Sequence, residues 1–122
     1  MSNNILVATD KEANLPIIKV RGEIDIYTCS QLREALSKTI EESTQHLILD
    51  LEELQYIDST GLGTIAHSAQ IIEGKNGTIY ILCNKPQIKK IFEVSGLPKK
   101  NIELYENKID LNAMFESKKG TS

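Results

Sequence analysis

Two short and almost uninterrupted apolar runs set the strongest limit on what this chain can fold into. They are His46–Leu51 (His-Leu-Ile-Leu-Asp-Leu) and Thr78–Cys83 (Thr-Ile-Tyr-Ile-Leu-Cys). A strand with one wet face alternates apolar and polar residues. A run that is apolar on both parities needs cover on both faces, as in a central strand of a helix-packed sheet. Helical spacing flanks both runs. Leu32, Ala35, Leu36 and Ile40 fall on one helical face upstream, and Leu62, Ile65, Ala66, Ala69 and Ile72 form a second stripe over residues 60–73. Strands joined through helices run parallel, with right-handed crossovers.

The rest of the chain fits around that frame. Asn4–Thr9 reads as a first strand, Asp10–Asn14 as a polar turn and Leu15–Arg21 as a second strand closed by Gly22, together an antiparallel hairpin. Pro16 belongs at a strand start or edge, because it cannot donate to a ladder. Thr28 and Gln31 have capping-box spacing at the start of the first helix, which should end near Ser43. Gly74 is placed to end the second helix in a left-handed conformation, and Asn76-Gly77 to turn the chain. Pro86 suits the first turn of a third helix, with Ile88, Ile91 and Phe92 inward and Gly96 and Pro98 ending it. Ile102 and Leu104 suggest a weaker edge strand. Leu111, Met114 and Phe115 mark a last helix.

The expected fold is therefore α/β: a mixed sheet of four to five strands, with an antiparallel N-terminal hairpin, βαβ crossovers and about four helices. A single domain is expected over 1–117, followed by a polar, mobile tail at 118–122. A chain of 122 residues can bury one core without disulfide staples.

Composition narrows the function classes. The formal net charge is −3 and no Lys/Arg block is present, so neither a nucleic-acid footprint nor an anionic-membrane patch is expected. The chain has no Trp and six other aromatics, too few for a base-stacking platform. No apolar run is long enough to cross a membrane, and the start lacks the pattern of a secretory signal. Cys29 and Cys83 form no CxxC, and with two histidines a zinc site is not expected. They read as small buried hydrophobes in a reduced, cytoplasmic protein. No cofactor is implied. Lys99-Lys100 reads as a solvated turn.

Any chemistry should gather at Tyr56-Ile57-Asp58-Ser59-Thr60-Gly61-Leu62-Gly63, which joins a central strand to a helix N-terminus. Sites in open α/β sheets collect there, where helix dipoles and free amides favour anions. Four readings fit. Ser59 or Thr60 caps the helix. A phosphate-binding loop is a second, but GxxxxGK[ST] is absent. A hydrolase elbow is a third, but Ile57 stands where G-x-S-x-G needs its first glycine, and no pattern places His46 or His67 beside Ser59. Asp58 next to Ser59 is ordinary turn chemistry. The fourth reading makes Ser59 a phosphate acceptor. The added charge would be tolerated at a helix N-terminus, and net charge would move from −3 to roughly −5.

The same eight residues closely resemble the signature of bacterial anti-sigma factor antagonists, which are single STAS domains. Gly22-Glu23-Ile24-Asp25-Ile26-Tyr27-Thr28 is similar to that family's other marked segment, and Ile91-Phe92-Glu93-Val94-Ser95-Gly96-Leu97 to its later helix end. The resemblance covers nearly the whole chain. It implies the STAS mixed sheet with helices, no enzymatic activity and a partner-switching role, with the protein expected to be a monomer. The unphosphorylated form would bind an anti-sigma factor that is also a serine kinase of the histidine-kinase-like ATPase fold, releasing a sigma factor. Phosphorylation would switch binding off, and a PP2C-type phosphatase would restore it. ATP and Mg²⁺ would belong to the kinase. The resemblance maps the acceptor onto Ser59. It maps the docking surface onto Asp25, Tyr27, Thr28, Asp58, Ser59, Thr60, Gly61, Leu62 and Gly63.

Simpler roles compete at each position. Asp25 and Thr28 would start a helix, Tyr27 would pack at the domain edge, Leu62 belongs to a core stripe and Gly61 permits tight packing. Thr60 is a second hydroxyl one residue from the acceptor. A STAS interaction module of another signalling or transport assembly, or one that binds a nucleotide, is the alternative function.

Overall fold

The computed structural model describes residues 6–12, 14–42, 45–98 and 100–120. In chain order the elements are β1 (Leu6–Glu12), β2 (Leu15–Ile24), α1 (Cys29–Glu41), β3 (Leu47–Asp50), β4 (Leu54–Ile57), α2 (Ser59–Glu73), β5 (Ile79–Leu82), α3 (Pro86–Ser95), β6 (Ile102–Tyr105) and α4 (Lys108–Gly120).

β1 lies antiparallel on β2, from Leu6 opposite Arg21 to Glu12 opposite Leu15. From β2 onward every pairing is parallel: β2 with β3, β2 with β4, β3 with β5 and β5 with β6. The expected fold is corrected on this point. The sheet has six strands rather than four to five, and its body is five wholly parallel strands.

The strand that the sequence reading lacks is β4. Asp50 accepts a bond from the Glu52 amide at 3.0 Å, and the Leu54 amide bonds the Leu51 carbonyl at 3.1 Å, so the chain turns and restarts. β2 is long enough to serve both pieces. Ile17–Lys19 pair with β3, and Gly22–Ile24 pair with β4 after a register shift at Gly22, whose φ is 110°. In β4 the buried residues are Leu54 and Ile57, three apart, so the period of two that marks a strand is missing.

Parity explains the two apolar runs. Ile18, Val20, Leu47, Leu49, Ile79 and Ile81 join the core formed with α1, α2 and α3. Ile17, Ile48, Tyr80 and Leu82 form a second cluster with Leu111 of α4, against which Met114 and Phe115 pack. Tyr80 meets Phe115 edge-on with ring centroids 5.1 Å apart. Three helices thus cover one face and α4 covers the other.

Boundaries differ in instructive places. β1 extends to Glu12, so Asp10–Glu12 is strand rather than turn, and the turn falls at Asn14, with φ 65°. Residues 4–5 of the expected first strand lie outside the described residues, as do 43–44, where the first helix was expected to end. Helix α1 stops at Glu41. Helix α4 runs through Gly120, into the expected tail, and residues 121–122 lie outside the described residues.

Gly96 does take the left-handed conformation after α3, with φ 73°. Gly74 does not: its φ is −62°, and Asn76 carries the positive φ of 60° instead. The glycine that this turn needs is Gly77. A Cβ there would lie 1.6 Å from the Gln45 carbonyl oxygen and 2.6 Å from Ile72 Cγ2. Gly77→Ala is expected to lower unfolding free energy by about 2–4 kcal/mol, read as a fall in the urea midpoint at unchanged slope.

Candidate functional site

The site is built where two parallel strands end at one level. Ile24 of β2 pairs with Ile57 of β4, and the Asp58 amide donates to the Ile24 carbonyl at 3.1 Å. The next residue on each strand is an aspartate. Asp25 opens the loop into α1 and Asp58 opens α2, so the two marked sequence segments become neighbours at the carboxyl edge of the sheet.

Asp25 organises its own loop. Its carboxylate accepts from the Tyr27 amide at 2.9 Å and the Thr28 amide at 3.1 Å. The expected capping box is absent. The Thr28 hydroxyl donates backwards to the Glu23 carbonyl at 2.7 Å and accepts from the Asp25 amide at 2.9 Å, so it never reaches the helix amides. Thr28 is buried, whereas Tyr27 and Ile26 are 67% and 61% exposed. A short loop tied at four points therefore holds two apolar side chains in water.

Asp58 is the N-cap of α2, which corrects the reading of Ser59 or Thr60 as the cap. One carboxylate oxygen accepts from the Thr60 amide at 3.0 Å and the Gly61 amide at 3.2 Å, and the Thr60 hydroxyl donates to the same oxygen. The Thr60 hydroxyl first of all holds the Asp58 carboxyl below its ordinary value; burial opposes it, and the amides of Gly61, Thr60 and Asp58 itself add smaller lowering effects. Ser59, the first helical residue, is exposed, and no hydrogen bond holds its hydroxyl among the described residues.

The remaining expected site residues divide by burial. Gly61 is buried, and a Cβ there would come 2.5 Å from Ile24 Cγ2 and 2.8 Å from Ile57 Cγ1, so it brings α2 down onto the strand ends. Gly63 is exposed with open space where a Cβ would go. Leu62 is half-buried and does two jobs. It packs against the core, and it lines a shallow apolar groove with Gln87, Lys90, Ile91, Val94 and Ser95 of α3.

Ile26 and the α3 side of the groove are surface features that sequence reasoning did not select. Ile26 had a signal, an apolar residue inside a polar turn. Val94, 77% exposed, had its place three residues after Ile91 and inside the segment Ile91–Leu97 that resembles the family's later helix end.

Two chemical readings lose their geometry. His46 sits at the opposite end of the sheet, before β3, where its Nδ1 accepts the Thr78 amide at 3.0 Å. His67 is eight residues into α2, about 12 Å along the axis from Ser59. Neither reaches Ser59 as a base. The α2 amides that would cradle a nucleotide phosphate are those that Asp58 occupies. Among the described residues no cluster of His, Cys, Asp and Glu could hold a metal ion, and no helix is long and apolar enough to cross a membrane.

Residues 6–111 match the family model of the STAS domain. The chain is 32% identical over 94 residues to the anti-sigma-B factor antagonist of Staphylococcus aureus (strain NCTC 8325 / PS 47), covering 77% of this chain and 87% of that protein. The crystal structure of an anti-sigma factor antagonist from Mycobacterium paratuberculosis superposes with a TM-score of 0.81 at 24% identity, covering 90% of this chain and 93% of that one. The Bacillus cell fate determinant SpoIIAA in its phosphorylated form superposes with a TM-score of 0.67 at 22% identity, covering 89% of this chain and 99% of that one.

The two glycines should respond oppositely to alanine. Gly61→Ala is expected to cost about 1–3 kcal/mol through overpacking, whereas Gly63→Ala should stabilise by about 0.5–1 kcal/mol as a helix-interior replacement, both read by urea unfolding. Asp58 supplies a pH signature. Its folded value is lowered, so its contribution is present above the unfolded value and lost as pH falls through the folded one. The stability difference between wild type and Asp58→Asn is therefore expected to shrink on acidification below about pH 4.

Proposed function

This chain belongs to the STAS-domain family of anti-sigma factor antagonists, and we propose that Ser59 is the residue through which it is switched. The unphosphorylated chain binds an anti-sigma factor, and the sigma factor that partner held goes free. The anti-sigma factor is itself a serine kinase of the histidine-kinase-like ATPase fold and phosphorylates Ser59. A PP2C-type phosphatase reverses the modification. The chain acts by binding rather than by catalysis, and its setting is the cytoplasm.

The observation that carries the reading is the exposed Ser59 at the first position of α2, between two surfaces suited to docking. On one side stand Ile26 and Tyr27 on their tied loop. On the other lies the groove beside Leu62. In this scheme Tyr27, Ser59, Leu62 and Gly63 touch the partner. Asp25, Thr28, Asp58, Thr60 and Gly61 act from behind by fixing where those residues stand. That a protein of the same fold has been solved in a phosphorylated form supports a phosphorylation switch in this architecture.

The size of the effect is sufficient. A phosphoserine adds about −1.5 to −2 charges at pH 7. Asp58 already fills the Thr60 and Gly61 amides, so the new charge points outward beside an existing carboxylate. A carboxylate on the partner ~4 Å away would be repelled by about 4 kcal/mol per unit charge at an effective dielectric near 20, close to a thousandfold in affinity.

The test uses wild type, Ser59→Ala and Ser59→Asp as baits for the partner. Ser59→Ala should retain it and resist phosphorylation. Ser59→Asp should lose it, with a thermal midpoint close to that of wild type. Equal retention by all three would assign the chain to a STAS interaction module with another role.

A further inference from the structure

The segment Asp58-Ser59-Thr60 offers a kinase two adjacent hydroxyls, and they are not equivalent. We propose that Asp58 chooses the acceptor: by holding the Thr60 hydroxyl it leaves Ser59 as the only one of the two that can be phosphorylated. The inference rests on the reading of Ser59 as the switch and adds a specificity-determining role for its neighbour.

Phosphoryl transfer sets two requirements on the acceptor. The acceptor oxygen attacks the γ-phosphorus of a Mg²⁺-bound nucleoside triphosphate supplied by the kinase. An O–P bond forms as the bond to the β,γ-bridging oxygen breaks, and the electron pair leaves on the nucleoside diphosphate. The hydroxyl proton passes to a base on the kinase. The acceptor therefore needs an oxygen facing outward and a proton free to leave toward the kinase.

Ser59 meets both requirements. It is exposed, and its hydroxyl is unbonded among the described residues. Thr60 meets neither. Its side chain is half-buried, and its hydroxyl donates inward to the Asp58 oxygen that also takes the Thr60 and Gly61 amides. To use Thr60, the kinase would have to break that bond and turn a β-branched side chain away from the cap. Asp58 would not serve as the base either, because three donors stabilise its charged form. An N-cap needs only the two amides. The hydroxyl bond is additional, and it is the observation from which the role of Asp58 is drawn.

The experiment maps phosphates by mass spectrometry on the full chain expressed in its source bacterium. It compares wild type, Asp58→Ala, Ser59→Ala, Ser59→Ala/Asp58→Ala and Ser59→Ala/Asp58→Asn. Wild type should carry phosphate on Ser59 and none on Thr60, and Ser59→Ala should carry none on either. Removing the carboxylate in Ser59→Ala/Asp58→Ala should bring phosphate onto Thr60, at an occupancy roughly ten- to a hundredfold above the detection limit that Ser59→Ala does not cross, the weight of one hydrogen bond to a charged group. Asn presents the same accepting oxygen, so Ser59→Ala/Asp58→Asn should behave as Ser59→Ala does.

Phosphothreonine at 60 in wild type or Ser59→Ala overturns the inference. So does Asp58→Ala phosphorylated on Ser59 while Ser59→Ala/Asp58→Ala gains nothing at Thr60. Wild type with phosphate on neither residue instead defeats the reading of Ser59 as the switch, and this inference with it. Should Asp58→Ala fold poorly, three-bond couplings to the Thr60 γ-methyl in wild type decide the matter. A single χ1 rotamer is expected, and rotamer averaging overturns the lock.

Discussion

The pairing of Ile24 with Ile57 ends two parallel strands side by side, and the shape of the surface follows from it. Each strand hands the chain to an aspartate, and each aspartate turns at once to the amides just ahead of it. Shift that pairing by one residue and both loops would leave the carboxyl edge at different heights, because one residue of slip also exchanges the faces. Gly61 seals the arrangement from above, since any larger residue would lift α2 from Ile24 and Ile57.

The two aspartates show how a binding surface is made ready before its partner arrives. Exposed apolar residues on a slack loop lose conformational freedom on docking, which weakens affinity. Here the Asp25 and Thr28 bonds fix the loop in advance, so Ile26 and Tyr27 meet a partner with less left to order. Asp58 does the equivalent for the start of α2. Neither carboxylate has to touch a partner to matter. Each works through the backbone it holds, while Ser59 between them stays unconstrained.

Much of this was legible in the sequence, and what was missed has a common cause. The apolar runs at 47–50 and 79–82 placed the central strands because burial on both faces leaves a pattern that little else imitates. The stripe on α2 was equally plain. Where several side chains within one turn could do the same job, local rules chose the wrong one. Thr28 and Gln31 have capping-box spacing, yet Thr28 turns toward Glu23 because β2 carries that carbonyl to it. Ser59 and Thr60 are good caps in isolation, but β4 delivers Asp58 to the cap position first. Gly74 was the obvious left-handed residue, yet Gln45 lies so close to Gly77 that the turn runs on to Asn76. β4 itself was hidden because Leu54 and Ile57 are buried three apart, dictated by a register shift in its neighbour. Each of these choices is made by tertiary placement, which no window of residues contains.

The lopsided cover of the sheet has a consequence for how the chain is made. Three helices protect one face and are interleaved with the strands, so that side is clothed as it is synthesised. The other face, with Ile17, Ile48, Tyr80 and Leu82, waits for Leu111, Met114 and Phe115. Until those residues leave the ribosome, a nascent chain with its strands already paired would carry a bare apolar surface, the kind that chaperones hold and that stray chains stick to. The last helix in chain order thus sets the moment at which the protein becomes safe to release.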